Sequence, residues 1–226
     1  MSIADRIQTV RQDIQAICSK YNININDLKL LAVSKTHPTS SIQAAYEAGI
    51  TEFGESYLQE ALEKIKELQT LTIKWHFIGP IQSNKTRQIA AHFDWVQSVD
   101  RSKILTRLSE QRPAELAALN VCIQINYFEE PQKKGIAPSE LAPLLELANR
   151  LPNINLRGLM AIPPKKDGFK QQIEQFRQIA SFYDDCRASY PKMDTLSIGM
   201  SADMEAALVA GSNMVRVGTA IFGARG

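Results

Sequence analysis

Cysteine is scarce in this chain of 226 residues: Cys18, Cys122 and Cys186 are its only three, they lie far apart, and no CxxC occurs. An odd, scattered set argues against a disulfide framework and fits reduced thiols in a cytoplasmic setting. Histidine is equally sparse, and His37, His76 and His92 have no metal-ligand spacing, so no metal is expected. No apolar run approaches the ~20 residues that span a bilayer. The opening, MSIADRIQTVRQDIQAI, alternates charge with apolar residues where a signal peptide would be continuously hydrophobic. An excess of one charge is also missing. With 26 Lys and Arg against 24 Asp and Glu, a net charge of +2 gives no reason to expect nucleic acid or an anionic membrane as partner. No repeat, low-complexity tract or Pro/Gly/Ser-rich linker divides the chain, so one domain over residues 1–226 is expected.

What is present is an ordinary globular composition, 44% hydrophobic and 22% charged, which supplies a sizeable core. Ile3, Ile7, Val10, Ile14 and Ile17 recur at helical spacing and predict an N-terminal helix. Pro38, Thr39 and Ser40 open a second helix that Gly49 stops; Leu58, Ala61, Leu62, Ile65 and Leu68 stripe a third. Further helices are expected over 83–92, 101–112, 138–150, 169–189 and 203–210. Strand candidates fall between them, at 29–34, 51–53, 73–79, 95–99, 121–126, 156–162, 195–199 and 214–218. Eight strands, each followed by a helix or helical turn and several apolar on both faces, predict an α/β fold. The form expected is a single (β/α)₈ TIM-type barrel with an extra N-terminal helix. No glycine-rich fingerprint follows the first strand, which counts against a dinucleotide-binding sheet.

In such barrels the functional groups sit at the C-terminal ends of the strands. Those ends read Ser34-Lys35-Thr36, Gly54-Glu55-Ser56, Gly79-Pro80, Ser98, Asn126, Met160 to Pro163, Gly199 to Ser201 and Arg216 to Thr219. By alternation Lys35 shares the face of Leu31 and Val33, and points into the barrel if they do. A desolvated lysine sheds its proton more readily, and the neutral amine is the form that attacks an aldehyde. The plainer alternative is a lysine reaching solvent at the rim. Arg216, between Val215 and Val217, needs a partner, either a bound ligand or a buried acid. GTAIFG, from Gly218 to Gly223, places a glycine and a helical turn after the last strand, where backbone N–H groups take up phosphate. Ser201 would lie beside it, as a phosphate ligand or as a plain helix N-cap. A lysine for an aldehyde, a cradle for a phosphate and an arginine between them suit pyridoxal 5′-phosphate. They suit a Schiff-base aldolase of sugar phosphates nearly as well, and the residues alone leave both open. Trp75 and Trp95 are expected to serve packing.

The stretches AVSKTHP, WHFIGPIQSNK, SVD, LRGLMAIP and LSIGMSADMEAALVAGSNMVRVGTAIFGAR together closely resemble the pyridoxal phosphate homeostasis proteins, from about Leu31 to the C-terminus. The resemblance implies a fold-type III barrel similar to the N-terminal domain of alanine racemase. It implies that Lys35 holds the cofactor as a Schiff base and that Ser201, Gly218 and Thr219 bind its phosphate. Arg216 would face the pyridine nitrogen, and Met160 and Met200 would line the pocket. Where the family usually reads GEN, this chain has Gly54-Glu55-Ser56, so an amide contact to the cofactor at Ser56 is expected to be lost or bridged by water.

The resemblance further implies a cofactor holder that balances vitamin B6 and amino-acid pools without robust catalysis; a monomer is expected, and delivery of the cofactor to apo-enzymes through transient contacts is a separate, non-catalytic reading. An arginine cannot readily give a proton to the pyridine nitrogen, which weakens the ring as an electron sink. Racemases of this fold share that arginine, so a slow racemase or transaminase is the alternative.

Overall fold

The structure, a computed structural model, describes residues 1–224, so Arg225, at the end of the C-terminal motif, lies outside the described residues. Its strands are β1 (Lys29–Val33), β2 (Glu52–Glu55), β3 (Lys74–Phe77), β4 (Trp95–Val99), β5 (Leu119–Ile125), β6 (Ile154–Ala161), β7 (Thr195–Met200) and β8 (Met214–Val217). All pair in parallel and in chain order, and β8 returns to β1 with Arg216 opposite Leu31, which closes the barrel. A closed sheet has no open edge, and its helices cover the outer face.

The helices are α1 (Ile3–Tyr21), α2 (Thr39–Glu47), α3 (Leu58–Glu67), α4 (Thr86–His92), α5 (Ser102–Glu110), α6 (Leu141–Arg150), α7 (Phe169–Ser189), α8 (Met204–Val209) and α9 (Thr219–Phe222). α1 precedes the barrel, opens on a Ser2–Asp5 capping box and buries Ile7, Val10, Ile14 and Cys18. Two expected helices, over 83–92 and 138–150, begin as 3₁₀ turns at Ser83–Lys85 and Pro138–Glu140.

Strand alternation sorts the barrel residues into two cores. Ala32, Phe53, Phe77, Val121, Leu159 and Val217 face outward and join the helices in the main core. Leu31, Trp95, Cys122, Met160 and Met214 form a smaller cluster of their own. They alternate with those outward positions along their strands, which places them inside the barrel. On the same alternation His76, Gln97, Ser197 and Arg216 also face inward, and all four are buried. The second strand departs from expectation, running over Glu52–Glu55 instead of 51–53. Gly54 belongs to the strand because its bare Cα faces Leu31 and Ile78, where a Cβ would lie 3.2 Å from each. Glu55 belongs to it as an outward-facing buried carboxylate.

Candidate functional site

All eight residues singled out from the sequence, Lys35, Ser56, Met160, Met200, Ser201, Arg216, Gly218 and Thr219, line one cavity of about 310 Å³ at the C-terminal mouth of the barrel. Val33, Ile78 and Ile162 add apolar wall, and His37 and Ala202 complete it. A larger groove of about 860 Å³ runs along the outer flank of α7 and contains none of these groups. The smaller cavity is therefore the chemically equipped one.

Lys35 follows β1 directly and is half-buried, with Leu31 and Val33 below it on the same face. Its two neighbours are clamped. Ser34 Oγ donates to Glu55 Oε1 at 2.7 Å, and Lys64 Nζ donates to both Ser34 O (2.9 Å) and Glu55 Oε1 (2.8 Å). On the other side the Thr36 N–H donates to Glu60 Oε1 at 2.6 Å, and Lys64 also pairs with Glu60. Thr36 has φ +66°, a left-handed conformation that costs a β-branched residue free energy and persists only where its surroundings hold it. The Glu55–Lys64–Glu60 cluster thus fixes the backbone on both sides of Lys35. Burial pushes the Glu55 carboxyl up, against the pull of Lys64 and Ser34.

Arg216 is buried at 5% exposure, and within the chain its partners are carbonyls and a hydroxyl where an acid was the protein-side expectation. No acid pairs with it among the described residues. Instead Nη1 donates to Ser197 O (2.7 Å) and Ser197 Oγ (2.8 Å), and Nη2 donates to Ala161 O (3.0 Å). Main-chain carbonyls at the ends of β6 and β7 meet part of the need that sequence reasoning assigned to a ligand or an acid. Three bonds still leave two of the five guanidinium donors for something in the cavity. Burial lowers the Arg216 pKa to about 10, so it stays charged at neutral pH.

Ser201 is not a helix cap. α8 starts at Met204 behind Asp203, whose carboxylate accepts from the Met200 N–H at 2.6 Å, so a turn separates Ser201 from the helix. Ser201 and Thr219 are both exposed on the cavity wall, and Gly218 leads into α9. The His37 ring stacks on Phe222 of α9 at 4.9 Å, which ties the Lys35 loop to the end of the last helical turn.

The donor set fits a phosphorylated pyridine aldehyde. An amine, a charged guanidinium, the Ser201 hydroxyl and the Thr219 hydroxyl at the start of α9 surround a space flanked by Met160, Met200 and Ile78. The first N–H groups of a helical turn lack intrahelical partners and favour an anion. Sequence reasoning named Ser34 and Glu55 at the strand ends without giving them a role, and missed Glu60, Lys64 and Ser197. Of these three, Lys64 left a signal: it falls four residues before Leu68 and three after Ala61, on the buried side of α3.

Residues 7–226 match the family described as alanine racemase, N-terminal domain. The chain is 50% identical over its whole length to the pyridoxal phosphate homeostasis protein of Haemophilus influenzae, covering 97% of it. It is also 50% identical, over 99% of its length, to the Escherichia coli K12 protein of that name, again covering 97%. Among solved structures, PipY of Synechococcus elongatus with PLP bound is similar at TM-score 0.86 and 33% identity, over 98% of this chain and all of that one. Alanine racemase of Clostridium difficile shares the fold at TM-score 0.74 and 14% identity, and 55% of its chain is covered. With half its residues shared along the full length of such relatives, this chain belongs to the pyridoxal phosphate homeostasis protein family, on the alanine racemase N-terminal barrel.

Proposed function

We propose that this chain binds pyridoxal 5′-phosphate covalently through the Lys35 amine and serves the homeostasis of that cofactor. One observation carries the proposal: Lys35, Arg216, Ser201 and Thr219 converge on a single cavity in a chain half identical to homeostasis proteins. The PLP-bound state of the similar PipY supports it.

When bound, the cofactor supplies an aldehyde carbon and an electron-withdrawing ring. Lys35 is the attachment point, held at the β1 end by its clamped neighbours. Ser201, the Thr219 hydroxyl and the N–H groups after Gly218 would bind the phosphate. Arg216 would direct one of its two remaining donors at the ring nitrogen while keeping its own proton. Met160 and Met200 would flank the ring and exclude water, and the short Ser56 side chain would leave its end of the cavity wetter than an amide would.

We also place the protein in the cytoplasm as a monomer that holds the cofactor without robust turnover and meets apo-enzymes transiently. No helix among the described residues is long and apolar enough to cross a membrane. Mixing the loaded protein with an apo-enzyme tests the carrier role. Activation faster than with free cofactor at equal concentration supports it; no difference contradicts it. Steady conversion of an L-amino acid, lost in Lys35→Ala, would make the protein an enzyme instead.

A further inference from the structure

Five polar side chains, one from each of five strands, cross the inside of the barrel in a line. Arg216 Nη1 donates to Ser197 Oγ at 2.8 Å, and Ser197 Oγ donates to Gln97 Oε1 at 2.7 Å. Gln97 Nε2 meets His76 Nδ1 at 2.9 Å, and His76 Nε2 lies 3.3 Å from Glu52 Oε2. The last contact is a proximity of charge and ring nitrogen, since neither His76 Nε2 nor Glu52 Oε2 makes a hydrogen bond among the described residues in this geometry. The line begins at Arg216 in the cavity and ends at Glu52, the first residue of β2, at the opposite mouth. Its four upper members are buried, and Glu52 is half-buried.

The two ends dictate its polarity. A guanidinium has donors only, so the Ser197 hydroxyl accepts from Arg216 and must direct its own hydrogen elsewhere. Gln97 Oε1 is the acceptor in place. That turns the Gln97 NH₂ toward His76 Nδ1 and the Met214 sulfur, the latter at 3.2 Å. Nδ1 then accepts, and the imidazole hydrogen resides on Nε2, toward the Glu52 carboxylate. Trp95 stacks on the His76 ring at 5.1 Å and 9°, which sets the ring plane. Each hydrogen bond from Arg216 to His76 runs in the same sense, the arrangement in which each bond polarises and strengthens the next, and the Glu52 carboxylate ends the line as a close charge facing Nε2, without a hydrogen bond in this geometry.

We propose that this line is a positioning device for Arg216. Gln97, backed by His76 and Glu52, locks the Ser197 hydroxyl with a lone pair toward the guanidinium, and so fixes the donor that Arg216 presents to a cofactor ring nitrogen. The inference rests on the cofactor reading above. Gln97 does not line the cavity, so what a substitution there does to the cavity travels through Ser197.

Nitrogen NMR of the full-length chain tests the line before any cofactor is added. His76 is expected as the neutral Nε2–H tautomer, and Gln97→Leu is expected to displace the Arg216 guanidinium resonances. Glu52→Gln, at the half-buried far end, is expected to do the same and keeps the test open should Gln97→Leu fold poorly. With pyridoxal phosphate added, both variants should shift the visible absorption band. Gln97→Leu should weaken retention about 10-fold, as for one lost buried hydrogen bond. Ser197→Ala combined with Gln97→Leu should be no worse than Ser197→Ala alone, because both cut the same line. An Nδ1–H tautomer overturns the proposal, as do Arg216 resonances and an absorption band indifferent to both substitutions. Failure of the cofactor reading shows separately, as wild-type Lys35 without a cofactor-derived mass.

Discussion

Truncating Lys64 to Met would leave the Glu55 carboxyl buried with only the Ser34 hydroxyl as partner. Breaking a buried pair from one side costs about 3–5 kcal/mol, whereas Lys64→Met with Glu55→Gln removes both charges and should recover much of it. Urea unfolding of the single and double variants measures this; a single variant as stable as wild type would show that the pair contributes little. His76 carries a pH signature. Burial holds its pKa below the ordinary histidine value, although Glu52 pulls it upward. An unfolded histidine takes up its proton near pH 6.5, and the folded one only at lower pH. This contribution to stability is therefore complete above ~6.5 and declines as the pH falls toward the folded value. The decline is at most one proton's slope, about 1.4 kcal/mol per pH unit. His76→Phe should lose that slope in unfolding titrations from neutral to mildly acidic pH, and an unchanged slope would assign the proton elsewhere.

At the scale of elements the hydrophobic period was legible and the polar exceptions were not. The stripe of Leu58, Ala61, Leu62, Ile65 and Leu68 locates α3, but the helix is turned so that Lys64 takes a buried place while Leu62 and Ile65 are only half-buried. A lysine inside a stripe reads as surface until its acids are known, and Glu55 comes from a strand expected to end two residues earlier than it does. Gly49 and Gly211, with φ +84° and +110°, do end their helices as expected. Gly79 has a different task, just beyond β3 and against Ser56, which lines the cavity. A Cβ there would lie 2.1 Å from Ser56 O and 2.7 Å from Ser56 Cα, while Ser98 Oγ holds the Gly79 carbonyl from the other side at 2.5 Å. Gly79→Ala must therefore displace the Ser56 segment. A loss of about 1–3 kcal/mol is expected from overpacking, with weaker cofactor retention. A melting temperature and retention equal to wild type would contradict that close approach.

Across the whole molecule, the count and order of βα units carried the closed barrel, because eight parallel strands covered by helices have few other ways to bury both faces. The strand-end rule likewise placed Lys35 and Arg216 at one mouth although they are far apart in sequence. What stayed illegible was partnership across the barrel. Ser197 lies nineteen residues from Arg216 and a hundred from Gln97, and period-two alternation states which way each points but not whom it meets. The expectation that Arg216 needed an acid or a ligand overlooked carbonyls at neighbouring strand ends, which donor and acceptor counts along one strand do not reveal.

The central claim is a covalent attachment at one lysine among many. Incubation with pyridoxal 5′-phosphate, borohydride reduction and peptide mass mapping test it most directly. The phosphopyridoxyl mass is expected on the peptide containing Lys35, and on no peptide of Lys35→Ala. Reduction that leaves Lys35 unmodified, or places the mass on another lysine of the wild-type chain, would contradict the account.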